Sequence, residues 1–78
     1  DKGETDVTFT VPQSDLVRAQ ALLEDRRDAI GFNRIITDSK IAKISVVGVG
    51  MKSHAGVASS MFRALSDRGI NIQAISTS

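Results

Sequence analysis

Apolar and polar residues alternate strictly from Thr5 to Val11, with Val7, Phe9 and Val11 on one side and Thr8 and Thr10 on the other. A period of two is that of a strand with one buried face. Pro12 has no N–H to offer a ladder and ends the strand, and Ser14 is placed to cap a helix beginning near Asp15. Leu16, Ala19, Leu23 and Ile30 recur on one helical face with Leu22 and Ala29 beside them, while Arg18, Glu24, Arg26, Arg27 and Asp28 fall largely outside it. Gly31 supplies the left-handed residue that closes such a helix. A short second strand is predicted over Phe32 to Thr37, carrying Ile35 and Ile36, before the polar turn Asp38-Ser39-Lys40.

The same rhythm then repeats. Ile41 to Val49 is the most apolar strand, with only Lys43 and Ser45 interrupting Ile44, Val46 and Val47, which predicts a central place in a sheet. After a glycine-bearing turn, Ser53 is a natural N-cap, and Val57, Met61 and Leu65 repeat every four residues with Ala58, Phe62 and Ala64 widening the face. Gly69 ends this helix, and Ile70 to Ile75 alternates as a last strand. Strand, helix, strand, strand, helix, strand is the order of an α+β fold: a ferredoxin-like βαββαβ plait, an antiparallel sheet with helices on one face.

Length makes that core small, because a chain of 78 residues buries only about 60% of the surface its unfolded form exposes. A partner chain is a plausible source of further burial. With no cysteine and a single histidine, His54, neither a disulfide nor a structural zinc site is available. Ten Lys and Arg against nine Asp and Glu give a net charge of +1, scattered along the chain, so nucleic acid is not expected as a partner. No apolar run approaches the roughly 18 residues a membrane span requires, and the start is polar, so the chain reads as soluble and cytoplasmic. It lacks an initiator Met and stops at Ser76-Thr77-Ser78 in the middle of a predicted strand, as a piece of a longer polypeptide would.

Candidate chemistry gathers between Lys43 and Val57, where a buried strand, a glycine turn and a helix start follow one another. Gly48 and Gly50 suggest a nucleotide loop, but Ser53 stands where G-x-G-x-x-G needs its third glycine, and the P-loop signature is absent. Two readings remain open. In one, Gly48 and Gly50 only let the strand bend and Gly56 only allows close helix–sheet packing. In the other, the free N–H groups of Ala55 to Val57 hold the carboxylate of an amino acid, whose ammonium group then needs carbonyls or an acid nearby. Lys52 suits either a ligand carboxylate or solvent, and His54 has no Ser, Cys or acidic partner placed by sequence to complete a catalytic set. Asp6 can receive an ammonium group, Asp15 complements a helix dipole, and Met61 and Phe62 belong to the core. No constellation supports catalysis by this chain, and no cofactor or metal is expected in it.

Three strings carry a resemblance: Thr5-Asp6-Val7-Thr8-Phe9-Thr10-Val11, then Gly48-Val49-Gly50-Met51-Lys52-Ser53-His54-Ala55-Gly56-Val57, then Gly69-Ile70-Asn71-Ile72-Gln73-Ala74-Ile75-Ser76-Thr77-Ser78. Together they resemble the regulatory region of bacterial aspartate kinase over essentially the whole chain. The resemblance implies a pair of ACT domains, with residues 1–40 the second half of one and residues 41–78 the first half of the next. It further implies an effector, lysine or threonine, held where ACT domains pair across a dimer, for feedback inhibition of aspartate phosphorylation. Carried over by position, Met51, Lys52, Ser53, His54, Ala55, Gly56 and Val57 form the loop and helix start. Asn71 and Ile72 would give backbone contacts, and Thr5, Asp6 and Ser78 would border the lysine-sensing region. Ala58 stands where some members carry Thr, which bears on the threonine site, and Ala55 where others carry Pro, a first-turn role that Ala can fill. ATP and Mg would belong to the kinase domain of a parent protein. The alternative is an assembly or dimerisation module with no ligand of its own.

Overall fold

The structure, a computed structural model, describes residues 4–49 and 54–77. Four strands and three helices are laid along it: β1 (Glu4–Thr10), α1 (Leu16–Asp25), α2 (Arg27–Ile30), β2 (Arg34–Asp38), β3 (Lys43–Val49), α3 (His54–Asp67) and β4 (Ala74–Thr77). The strands form one sheet in the order β2-β3-β1-β4, and every neighbouring pair is antiparallel. This is the ferredoxin-like plait that the alternation of periods predicts, with β3 beside β1 in the middle.

Its connectivity has a physical consequence for the two sequence halves. β1 pairs with β3 and β4, and β2 pairs with β3, so each ladder joins a strand before residue 39 to one after residue 42. Among the described residues, neither half has a ladder of its own. The helical layer repeats the arrangement, because α1 packs against α3.

Pairing sets which side chains meet the helices. Phe9 stands opposite Ile44 and Val7 opposite Val46, and all four are buried together with Val11, Leu16, Ala19, Leu23, Met61 and Leu65. Phe62 meets Phe9 edge to face, with ring centroids 5.8 Å apart and planes at 84°, which locks a residue of α3 onto β1. The other face of the sheet is mixed, with Val47 and Ile36 among polar residues: Thr8 stands opposite Ser45, and their hydroxyls share a hydrogen bond of 2.9 Å.

Several boundaries differ from the sequence expectation; β3 starts at Lys43 and not at Ile41, which lies exposed in the turn before it. Ser14 does not cap a helix; Gln13–Asp15 is a 3-10 turn in which the Asp15 N–H donates to the Pro12 carbonyl at 2.8 Å, and Asp15 becomes the N-cap position of α1. The long helix breaks at Arg26 (φ −106°, ψ 15°), whose N–H is shared between the Leu22 and Leu23 carbonyls, both at 3.2 Å. Ala29 is consequently exposed, while Ile30 still reaches the core. Phe32 is buried ahead of β2 instead of within it, and Ile36 is 51% exposed on this edge strand.

The last strand begins late. Ile70 donates its N–H to the Leu65 carbonyl (3.0 Å) and Gly69 donates to Ser66 (2.9 Å), so residues the alternation assigned to the strand finish α3 instead. Only from Gln73, whose N–H donates to the Thr10 carbonyl at 2.9 Å, does the chain join the sheet. Both helical segments end as predicted on left-handed glycines, Gly31 at φ 100° and Gly69 at φ 75°.

Candidate functional site

The predicted loop leaves the sheet from the end of β3, and β1 enters at the same end, since Glu4 pairs with Val49, Thr5 with Gly48 and Asp6 with Val47. The first turn of α3 starts at His54. The topology therefore gathers Thr5, Asp6, Gly48 and the His54–Ala58 turn toward one end of the central strands. Met51, Lys52, Ser53 and Ser78 lie outside the described residues.

Within the helix start, side chains divide by what they touch. Val57 is a core residue and Ala58 packs against the core, so any ligand they meet is met through backbone. Gly56 is exposed in that turn, so its lack of a side chain is not spent on packing against the sheet. The first N–H groups of a helix have no intrahelical acceptor and carry the positive end of its dipole. Neither α1 nor α3 has an acidic residue in its first turn; Asp15 stands at the N-cap position of α1, makes no capping hydrogen bond there and accepts one from Arg18 at 2.9 Å.

Asp6 is half-buried and faces Val47, which on its other side faces Arg34 of β2. An acid and a guanidinium thus flank one buried valine on the open face of the sheet. No group of three His, Cys, Asp or Glu able to hold a metal occurs among the described residues. None of the described helices is long and apolar enough to cross a membrane.

Asn71 and Ile72 are not brought to this end. They precede β4, which starts opposite Thr10 and runs parallel to β3, so they sit at the far end of the sheet from Val49. One chain therefore does not close a pocket from both sets. Sequence reasoning also passed over a groove of about 250 Å³ on the helical layer, lined by Arg26, Ser59, Ser60, Arg63, Ala64 and Asp67. The helix break at Arg26 contributes one of its walls, and no glycine or proline in the sequence announces that break.

Residues 44–78, from β3 through α3 and β4, match the ACT domain model, with which the antiparallel plait is consistent. The chain's curated relatives are aspartate kinases. The chain is 58% identical over 95% of its length to the aspartate kinase of Pseudomonas putida and 55% identical over 95% to the aspartokinase of Pseudomonas aeruginosa, and spans 18% of each. Against aspartokinase 2 of Bacillus subtilis it is 44% identical over 99% of its length, spanning 19% of that protein. The chain thus covers about a fifth of the relatives it matches. No solved structure matches it at a comparable level of significance.

Proposed function

We propose that the chain is an amino-acid-sensing segment of an aspartate kinase, with lysine the first ligand and threonine the second, and that its own role is regulation rather than catalysis. The single observation that carries this is the match of residues 44–78, which include the start of α3, to the ACT domain; that helix start has no acidic residue in its first turn. An effector carboxylate fills that place, and carbonyls at the start of β1 suit its ammonium group. Met51, Lys52 and Ser53 belong to the loop that covers it.

Asn71 and Ile72, far from the loop in one chain, serve on this reading in the site of a second copy. β4 is an edge strand, and antiparallel pairing of two β4 edges about a two-fold sets the start of one against the end of the other. Asn71 and Ile72 of one protomer then approach the loop end of its partner, and Ser78 borders the seam. Residues 1–40 and 41–78 on this reading are halves of two consecutive ACT domains. Effector binding inhibits by favouring one arrangement of subunits, to the extent that its affinity for the two arrangements differs. ATP and Mg belong to a kinase domain, where the phosphoryl transfer to aspartate occurs, in the cytoplasm.

Calorimetry of lysine and of threonine against an aspartate kinase carrying this segment tests the reading. Heat with lysine is expected, lost on Ala55→Glu, which places a carboxylate in the first turn of α3; no heat with either amino acid sinks the ligand assignment. The second reading, assembly without a ligand, rests on β2 and β4 being open edges. It predicts a dimer whose sedimentation is indifferent to both amino acids.

A further inference from the structure

We infer that two copies of this chain exchange halves, the strands β1 and β2 of one copy completing the sheet with β3 and β4 of the other. This is separate from edge-to-edge pairing and does not depend on any ligand. Three observations carry it. All ladders among the described residues run between the halves, so a half torn from its partner loses every strand contact and regains all of them by docking on the complementary half of another copy. The Phe9–Phe62 contact and the packing of α1 on α3 also cross from one half to the other and are remade in the exchanged form.

The hinge is the third. Residues 39–42 join the halves in a tight turn, and Ala42 sits there at φ 50°, in the left-handed region that residues with a Cβ avoid. Its neighbour Ile41 is 55% exposed. The turn is nonetheless tied down: the Lys40 N–H donates to the Asp38 carboxylate at 3.0 Å, and the Gln13 amide donates to the Ser39 carbonyl at 2.6 Å. Opening the turn into an extended linker costs those two local bonds, disturbs the bond from the Val11 N–H to the Ala42 carbonyl (3.1 Å) and the burial of Ala42, and in return releases Ala42 from its strained conformation. Short, strained connections between complementary units favour exchange.

Because the chain has no cysteine, introduced thiols report without interference. Thr8 and Ser45 face each other across β1 and β3, one from each half, with their hydroxyls 2.9 Å apart. A Thr8→Cys chain and a Ser45→Cys chain, unfolded together and refolded at high concentration, are expected to give a disulfide heterodimer, while mixing the two already folded gives none within the same time. The double variant Thr8→Cys/Ser45→Cys, refolded dilute, is expected to close the bond within one chain. No heterodimer from co-refolding, with the double variant closing normally, overturns the inference. So does a heterodimer that forms equally fast on mixing folded chains, since that marks contact between open faces. A readout independent of disulfide geometry is sedimentation of refolded Ala42→Gly: glycine removes the strain from the closed turn, and the dimer dissociation constant is expected to rise about tenfold for each of its two hinges. An unchanged constant overturns the role given to the hinge and with it the exchange.

Discussion

The two halves of the sheet share a topology and differ in how strand gives way to helix. In the first half Pro12 ends the register, a 3-10 turn uses the Asp15 N–H on the Pro12 carbonyl, and the Asp15 side chain stands at the helix start held by Arg18. The connection is closed on itself. In the second half the buried strand β3 runs into a glycine-bearing loop, and α3 begins with no acid in its first turn and continues unbroken for 14 residues. One junction carries an acid paired with a guanidinium, and the other leads into a helix whose first turn has no acid. Similar backbone paths thus acquire different electrostatics through a few residues at the strand-to-helix junction.

The strongest way to break the comparison is to remove what makes the halves one core. Phe9→Ala empties a fully buried site that faces Ile44 and Phe62 of the other half, and a loss of about 3–5 kcal/mol is expected in urea unfolding. A domain this small is left largely unfolded by such a loss. Next come the two helix ends, where the halves agree. Gly31→Ala and Gly69→Ala each put a methyl group into open space at positive φ, so only backbone conformation is penalised, by about 1–2 kcal/mol apiece. Equal costs by thermal unfolding support the likeness of the two caps; a cost at one alone breaks it.

Smaller effects separate the halves more finely. A double-mutant cycle of Phe9→Leu and Phe62→Leu is expected to show a coupling of about 0.5–1.5 kcal/mol beyond the single losses, measuring the edge-to-face contact that spans them. Asp15→Asn removes the charge at the start of α1 and its pairing with Arg18, and about 0.3–1 kcal/mol should be lost at low salt and less at high salt. The matching change at α3, Ala55→Glu, is expected to gain a similar amount while abolishing effector heat. A gain without loss of heat separates the helix end from the ligand site.

Much of this was legible in the sequence for definite reasons. The alternation of Val7, Phe9 and Val11 fixes which face of β1 is buried, and the apolar run around Ile44 and Val46 marks β3 as a central strand. Gly31 and Gly69 mark both helix ends because few other residues accept their conformation. What escaped depends on hydrogen bonds with no residue signature. Glu24-Asp25-Arg26-Arg27 contains no breaker, yet the helix divides at Arg26. Ile70 and Ile72 keep the period of a strand while the backbone at Ile70 is still engaged with Leu65. Distances across the candidate site were not legible, since only the strand order shows that Asn71 and Ile72 lie at the end of the sheet away from Gly48.

The absence of any ladder within a half, among the described residues, also matters at the ribosome. When residues 4–38 have emerged, β1 and β2 have no strand to bond to, because the strand that separates them, β3, has yet to be made. At typical rates of synthesis the second half takes roughly 2–8 seconds to follow, and for that time Val7, Phe9 and Val11 have only their own helix to shelter them. Nascent chains on neighbouring ribosomes offer the same unmet edges to one another, which is where the exchange of halves inferred above would begin.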